Sequence, residues 1–449
     1  MTMKIPMLDL KAEYLYMKAD IDAAIVRCLG HQQWIFGPEV KEFEDKVAEY
    51  FGVKHCIGIS SGTDALVLAL RALAIKTKGQ EYFDHSDLII TTPFTFTATG
   101  DAILHAGATP LFIDIDPATY NLDPSKIRDA VRSQESEVKG LKNTPYSLPL
   151  TPNRYDLSLL TPHPLPSSVV GILPVHLYGQ PCNMDEIVSI ASEHNLFVVE
   201  DCAQAFGGDW QKAPQWNKEK KGIPQGKDGE RRKVGNIGDV GAFSFFPSKN
   251  LGGFGDAGMV STNDDEINDL VRMLIKHGGK DKYNVDHIGY NARMDTLQAA
   301  ILLAKLPYID EFNTRRLKIA QLYIDGLKDI PGVILPATSY QPPTTESLPL
   351  AEFDSPLAGF GHVYHQYTIR VKNGKRDALQ RHLKDAGIES MVYYPVPLHR
   401  MKVFEGMCIY GELSEAERAA NEVLSLPVEP LQSQEIIFRI VEAIKKFST

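Results

Sequence analysis

Cysteine is scarce in this sequence: only five occur among 449 residues, and they are scattered singly. They are Cys28, Cys56, Cys182, Cys202 and Cys408, and no CxxC pair is present. A dispersed, odd-numbered set predicts reduced thiols in a cytoplasmic protein and argues against a disulfide framework or a zinc site. We therefore expect no bound metal.

Long apolar runs and an excess of positive charge are also missing. No run approaches the length of a membrane span, and the N-terminal MTMKIPMLDLKAEY lacks the apolar core of a signal peptide. The 47 lysines and arginines are outnumbered by 57 acidic residues, which gives a net charge of −10. This balance argues against a nucleic-acid or anionic-membrane partner. Anionic small molecules stay compatible with it, because local backbone dipoles bind phosphate whatever the net charge.

What the sequence does contain is a repeated alternation of short apolar strands with helical patterns, which predicts an α/β fold. With 43% hydrophobic residues, the chain can bury a large core and is long enough for two domains. We predict a large domain over residues 1–315 and a smaller α+β domain over residues 316–449. Two segments without sustained periodicity, 133–168 and 211–234, are predicted to be surface insertions.

A single lysine, Lys249, stands where an apolar strand-like segment meets a glycine-rich loop, in GDVGAFSFFPSKNLGGFGDAG. Glycine lets backbone pass close to a ligand. Three phenylalanines, Phe243, Phe245 and Phe246, precede the lysine. Such surroundings favour a desolvated amine of lowered pKa, the state in which an amine attacks a carbonyl. A solvated loop lysine is the alternative.

A second motif joins the strand Cys56 to Ile59 to a helix through Ser60, Ser61, Gly62 and Thr63. Unpaired N–H groups, hydroxyl donors and the positive end of the helix dipole meet at such a turn, which makes it a candidate phosphate site. Serine and threonine also cap helices without any ligand, so this motif alone leaves both interpretations open.

Polar and aromatic residues follow two other predicted strands. Glu200 and Asp201 stand at the carboxyl end of the predicted strand Leu196 to Glu200, and Gln204 stands one helical turn beyond. A carboxylate at the end of a buried strand needs a positive partner, or it caps the next turn. Phe94 and Phe96 follow the strand Leu88 to Thr91, where open parallel sheets bind ligands, although an aromatic residue there more often packs in the core.

Together the ordered segments SSGTDALVLAL, TPFTFTAT, GATPLFIDID, PVHLYGQPCNMDEI, VVEDCAQAFG, GAFSFFPSKNLGGFGDAGMV, IGYNARMDTLQAA and YYPVPLH resemble the nucleotide-sugar aminotransferases of the DegT/StrS group. The resemblance implies the type I fold of enzymes that use pyridoxal 5'-phosphate. This fold has a mostly parallel central sheet flanked by helices and a smaller C-terminal α+β domain.

The resemblance also implies roles for individual residues. Lys249 would bond covalently to the cofactor aldehyde and later move the reacting proton. Asp201 would pair with the ring nitrogen, and Gln204 would reach the ring's phenolic oxygen. The remaining cofactor contacts implied are Gly62, Thr63 and Ser244 at the phosphate, Phe96 on the ring face, and Asn291 at the phosphate of a partner subunit. A homodimer with shared active sites follows from the last of these.

The implied reaction moves an amino group from L-glutamate to a dTDP- or UDP-linked keto sugar. The segments VHLYGQ, KHGGKDKY and IGYNARMDTLQAAIL are more similar to the branch that aminates C3 than to the 4-keto branch. Tentative substrate contacts are His176, Tyr178, His365 and His399. A sugar dehydratase of this fold would carry histidine in place of Lys249, and a non-catalytic regulator would have lost site residues.

Overall fold

The computed structural model describes residues 4–139, 168–211, 231–281, 283–337 and 361–448. Most of both predicted insertions, 133–168 and 211–234, lies outside these described residues. The helices in chain order are α1 (Leu10–Tyr16), α2 (Lys18–His31), α3 (Pro38–Phe51), α4 (Gly62–Lys78), α5 (Thr97–His105), α6 (Pro124–Lys139), α7 (Met184–His194), α8 (Asp265–Leu274), α9 (Thr296–Lys305), α10 (Ile309–Leu327), α11 (Arg376–Asp385), α12 (Ser414–Glu422) and α13 (Gln434–Ser448).

The strands in chain order are β1 (His55–Ile59), β2 (Asp87–Thr91), β3 (Thr109–Phe112), β4 (Ser168–Ile172), β5 (Phe197–Asp201), β6 (Asp209–Gln211), β7 (Arg231–Lys233), β8 (Val240–Ser244), β9 (Gly258–Thr262), β10 (Val333–Ile334), β11 (Tyr367–Val371), β12 (Ile409–Tyr410) and β13 (Val423–Leu426). Eight of them form one sheet in the order β1-β9-β8-β5-β4-β2-β3-β12.

Only β9 runs against the direction of the other strands in this sheet, since it is antiparallel to both β1 and β8. The pairs β5–β8, β4–β5, β2–β4, β2–β3 and β3–β12 are parallel. Helices cover the sheet, so β2 and β5 are buried along their whole length, as is typical of strands covered on both faces. The predicted mostly parallel α/β sheet is confirmed. Its carboxyl edge gathers the ends of β1, β5 and β8.

The end of β1 becomes a helix at once because the local sequence supplies both caps of α4. Ser61 Oγ accepts a hydrogen bond from the Asp64 N–H at the start, and Gly79 ends the helix with φ of 64°. Ten consecutive residues of α4, from Ala65 to Ala74, are buried. The turn at Gly62 is therefore held by a helix that crosses the core of the domain.

A second core surrounds a three-stranded antiparallel sheet in the order β10-β11-β13. The segment IESMVYYPVPLH contributes no strand to this sheet. Ile388 and Met391 form only isolated bridges, and Pro395 and Pro397 have no N–H to donate to a ladder. The second strand that pairs with β11 is β13, which follows α12 directly.

Two segments cross the predicted boundary between residues 315 and 316. Ile5 lies in the second core, where its N–H donates to the Gly387 carbonyl, 2.8 Å away. In the other direction, β12 returns to the large sheet and pairs with β3. The boundary itself stays a prediction.

Among the described residues, the helices are all too short or too polar to span a lipid bilayer.

Candidate active site

The turn before α4 and the end of β8 meet directly at the carboxyl edge of the sheet. A Cβ added to Gly62 would lie 2.5 Å from Ser244 Cβ and 3.0 Å from its Oγ. Only a glycine allows this close approach, which brings the N-terminus of α4 next to the Ser244 side chain. Thr63 is exposed at the same turn. This is a cradle for an anionic group such as phosphate.

The first prediction concerns Gly62. Replacement by alanine is expected to lower the free energy of unfolding by about 1–3 kcal/mol, because the new methyl group overlaps Ser244. We also expect cofactor binding to weaken by roughly tenfold or more, since the turn and Ser244 would be pushed apart. Denaturant unfolding and a cofactor titration measure the two effects. The control is Gly411→Ala, whose Cβ would meet nothing within 4 Å; equal effects in both variants would contradict the cradle.

Asp201 ends β5 and is 5% exposed. Its Oδ2 accepts a hydrogen bond from Thr99 Oγ1 at 2.9 Å, and its Oδ1 accepts one from the Ala203 N–H at 3.1 Å. Burial raises the pKa of this carboxyl, while those two hydrogen bonds and the positive charge of Lys249 work in the opposite direction. A cation placed here would hold Asp201 in its ionised form. Asp201 thus both caps the following turn and offers a charge.

Lys249 lies in the loop after β8 and is half-buried. Burial lowers the pKa of its amine to about 8, and the Asp201 carboxylate opposes part of that shift. Of the three flanking rings, Phe243 and Phe245 are fully buried, whereas Phe246 is 51% exposed and does not enclose the amine. An amine with this pKa is substantially unprotonated slightly above neutral pH, as attack on a carbonyl requires.

Gln204 connects the site to the C-terminal part of the chain. Its Oε1 accepts the Tyr178 N–H at 2.6 Å, and its Nε2 donates to the Tyr394 hydroxyl at 2.9 Å. The Tyr394 ring lies 6.2 Å from the ring of Phe96, which is 56% exposed. Burial raises the pKa of Tyr394, so its hydroxyl keeps its proton. A planar ligand would find an uncovered aromatic surface at Phe96.

Two of the tentative substrate contacts have hydrogen-bond partners inside the fold. His176 is fully buried; its Nδ1 accepts the Cys182 N–H at 3.0 Å and its Nε2 lies 3.1 Å from Glu200. Tyr178 is 3% exposed, and its hydroxyl donates to the Tyr393 carbonyl. The polar groups of both side chains are engaged inside the fold, and their role as substrate contacts stays a prediction.

The other tentative contacts lie in different places. His399 is buried, with its Nε2 3.0 Å from Glu417 and its ring 5.0 Å from that of Tyr410 in β12. His365 is half-buried and close enough to Lys249 for the charge of the amine to lower its pKa. Its role as a substrate contact stays a prediction.

Asn291 is exposed, and its Oδ1 accepts a hydrogen bond from the Arg293 guanidinium. The next residue, Ala292, accepts the Ser60 N–H at 2.9 Å, so this segment lies beside the phosphate turn of its own chain. The predicted contact of Asn291 with a partner subunit stays a prediction.

The geometry fits pyridoxal 5'-phosphate on four counts. An amine of lowered pKa, a buried carboxylate, an open anion cradle and an exposed aromatic ring come from Lys249, Asp201, the Gly62–Ser244 turn and Phe96. An electron-sink cofactor with a phosphate needs each of these. Residues 16–445 match the sequence profile of the DegT/DnrJ/EryC1/StrS aminotransferase family.

The chain belongs to this family. The resemblance of the sequence motifs to the DegT/StrS group is thereby confirmed. Named relatives are similar over nearly their whole length. A pleiotropic regulatory protein of Geobacillus stearothermophilus is 37% identical, with 99% of each chain covered.

Two relatives within the family are named for sugar amination. The UDP-N-acetyl-3-dehydro-alpha-D-glucosamine 3-aminotransferase of Acidithiobacillus ferrooxidans is 37% identical, covering 98% of this chain and 97% of the relative. The dTDP-3-amino-3,4,6-trideoxy-alpha-D-glucose transaminase of Streptomyces venezuelae is 34% identical, covering 100% of this chain and 97% of the relative.

Solved structures agree with the fold. A DegT/DnrJ/EryC1/StrS aminotransferase from Brucella abortus superposes with a TM-score of 0.79, at 30% identity and 99% coverage of both chains. A Bacillus subtilis protein solved with bound cofactor PMP has a TM-score of 0.73 at 27% identity, covering 99% of this chain and 85% of that one. The predicted aminotransferase fold is confirmed.

Proposed function

We propose that this protein uses pyridoxal 5'-phosphate to move an amino group from L-glutamate to C3 of a nucleotide-linked 3-keto sugar. The observation on which this proposal depends is the Lys249 amine, of lowered pKa, beside the buried Asp201 carboxylate at one edge of the sheet. Both sugar-aminating relatives described above carry position 3 in their names, one with UDP and one with dTDP. This similarity supports C3 over the 4-keto alternative.

The cofactor, when bound, supplies an electron sink that stabilises negative charge on the amino-bearing carbon. Lys249 Nζ would hold it covalently and, once released, would take and return the proton at that carbon. Asp201 would keep the ring nitrogen protonated, and Thr99 orients the Asp201 carboxylate through a 2.9 Å hydrogen bond. The Gly62–Ser244 cradle would bind the phosphate, and Phe96 would cover one face of the ring.

Two further parts of the proposal concern the oligomeric state of the protein and its location in the cell. A homodimer would let Asn291 reach the phosphate bound to the other subunit, as we inferred from the sequence motifs. The exposed position of Asn291 is compatible with such a contact. We further propose a cytoplasmic enzyme whose amino-sugar nucleotide feeds a glycan such as lipopolysaccharide or a secondary metabolite.

Two other functions for this fold find less support. A sugar dehydratase would carry histidine where this chain has Lys249. The name of the Geobacillus stearothermophilus relative raises the possibility of a regulator. A regulator without catalysis has no use for an amine whose pKa is lowered to about 8, or for an open anion cradle.

A substrate panel tests the proposed function. Purified protein loaded with cofactor is incubated with L-glutamate and with 3-keto and 4-keto sugars on dTDP and UDP. We expect 2-oxoglutarate to form stoichiometrically with a sugar whose new nitrogen is on C3, identified by mass and by NMR of the aminated carbon. Nitrogen at C4 would show that the 4-keto alternative is correct, and no transfer to any keto sugar would refute the proposed substrate class.

A further inference from the structure

The loop that carries Lys249 is folded back on itself as a compact unit. The N–H of Gly253 donates to the Phe245 carbonyl at 2.7 Å, so the two ends of the loop are joined across Lys249. Within the loop, a Cβ on Gly252 would lie 2.3 Å from the Pro247 carbonyl oxygen, which shows that its two sides are in direct contact. A displacement of Gly252 is therefore passed on to Pro247 and to the lysine between them.

A buried ion pair outside the loop contacts its far side. Nζ of Lys305, the last residue of α9, lies 2.5 Å from the Gly252 carbonyl oxygen and 2.5 Å from Glu13 Oε1 on α1. Each of these two charged residues is only 4% exposed. Two turns earlier on α9, Gln298 Oε1 accepts the Phe254 N–H at 2.9 Å. Helix α9 thus fixes the loop at two points.

The side of the loop that faces the N-terminal helices is incompletely packed. A cavity of about 230 Å³ lies there. Pro247, Gly253 and Phe254 line it on the loop side, and Glu13 and Lys305 are among the residues that line the rest. Atoms that face a cavity lack van der Waals partners on that side. The loop therefore has room to shift, and the polar contact of Lys305 supplies more of its restraint.

Stability alone does not account for the pair of Glu13 and Lys305. Removing two opposite charges from water costs free energy, and a buried ion pair often stabilises a fold no more than apolar residues of similar volume do. What apolar residues cannot do is donate a hydrogen bond to a backbone carbonyl. The contact between Lys305 and Gly252 is therefore the property that distinguishes this pair.

We propose that Glu13 and Lys305 are a positioning pair for Lys249: Glu13 holds the Lys305 ammonium in place, and that ammonium holds the Gly252 carbonyl and with it the loop on which the Lys249 amine stands. The pair acts through the backbone of the loop. Its effect on turnover rests on the proposed function, whereas its effect on the position of the amine does not.

A double substitution, Glu13→Leu with Lys305→Met, tests the pair. It removes the donor to Gly252 and the carboxylate together, so the net charge is unchanged and neither partner is left as an unpaired buried charge. Arg316, which is close to the carboxylates of Glu13 and Glu429, keeps Glu429 as a neighbour in this variant.

The matched control is Lys78→Met with Asp87→Leu. This pair also joins a helix lysine to a buried carboxylate, and Asp87 stands at the start of β2. Because β2 runs parallel to its neighbours β3 and β4, its start lies at the amino edge of the sheet, opposite the edge that carries the candidate site.

The full chain, freed of cofactor, is labelled with an amine-reactive reagent across a range of pH, and labelling of Lys249 is measured by peptide mass spectrometry. The wild-type midpoint is expected near the pKa of about 8. Glu13→Leu/Lys305→Met should raise the midpoint by about one pH unit or more, because a released loop exposes the amine to water and burial is the larger influence on its pKa. The control should keep the wild-type midpoint.

Turnover supplies a second readout. With cofactor, glutamate and a keto sugar present, we expect kcat of Glu13→Leu/Lys305→Met to fall by roughly tenfold or more, because the amine is no longer held where the proton is transferred. KM for the sugar should change little, and the control should match wild type in both constants.

An unchanged labelling midpoint in a folded Glu13→Leu/Lys305→Met variant, or an equal rise in the control, would overturn the proposal. Should the leucine-containing variant fail to fold, Glu13→Gln/Lys305→Met is measured instead with the same expected rise, since it is equally uncharged and keeps the side-chain volume at position 13. A raised midpoint together with a failure of the wild-type protein to aminate any sugar would count against the proposed function and leave the positioning pair standing.

Discussion

Replacement of Lys249 by alanine is expected to lower turnover by about 10⁴-fold, because the proposed proton-transfer group and the proposed covalent attachment point are removed together. Lys249→Arg should be equally inactive. Arginine keeps a positive charge next to Asp201 but stays protonated at any accessible pH, so it cannot attack a carbonyl. Steady-state transfer from glutamate measures both variants.

Borohydride reduction supplies a readout of Lys249 that does not depend on the sugar substrate. Reduction of wild-type protein should fix the cofactor on the peptide that contains Lys249, and neither variant should retain it. Lys384→Ala, an exposed lysine on α11, serves as the control and should match wild type in both assays. Turnover near the wild-type rate in Lys249→Ala would remove the amine from the mechanism.

Replacement of Asp201 by asparagine is expected to lower kcat by roughly 10²–10³-fold, the usual effect of losing one preorganised electrostatic group. The amide still accepts a hydrogen bond, from Thr99 or from the Ala203 N–H, but it has no charge to keep the cofactor ring nitrogen protonated. We also expect the absorbance of the bound cofactor to change its pH dependence. Asp45→Asn, an exposed carboxylate paired with Lys41, is the matched control.

The free energy of unfolding distinguishes a loss of catalysis in Asp201→Asn from a loss of structure. Because burial raises the folded-state pKa of Asp201, the folded protein binds more protons than the unfolded chain between the unfolded and folded pKa values. Ionisation of Asp201 therefore lowers the free energy of unfolding as the pH rises from the unfolded-state pKa to the folded-state pKa. Asparagine removes this cost. We therefore expect the free energy of unfolding of the cofactor-free variant at neutral pH to be no lower than that of wild type. A variant with wild-type kcat would show that Asp201 acts only as a cap.

The site residues that were predicted from local sequence share one property: each can be recognised from a few adjacent residues. Gly62 follows a strand and opens a helix, and Asp201 ends a strand. Lys249 stands in a glycine-rich loop. In each case neighbours along the chain determine the backbone, and the common direction of the parallel strands brings the ends together.

Residues that the sequence did not reveal reach the site through distant contacts. Thr99 is 102 residues from Asp201, and Tyr394 is 190 residues from Gln204. Tyr394 was within the YYPVPLH segment used for the family resemblance, which was the only signal for it. No local pattern in the sequence identified the partners of His176, whose ring nitrogens bond within the core.

The small antiparallel ribbon of β6 and β7 has a consequence for engineering. Gln211 and Arg231 are paired in register, so these two residues, at which the ribbon ends, lie about 5 Å apart. A connection of two residues or of many would join these ends, and each doubling of length costs only about 0.6 kcal/mol in closure entropy. The ribbon is therefore a position where the connection can be shortened or lengthened at a small cost in closure entropy.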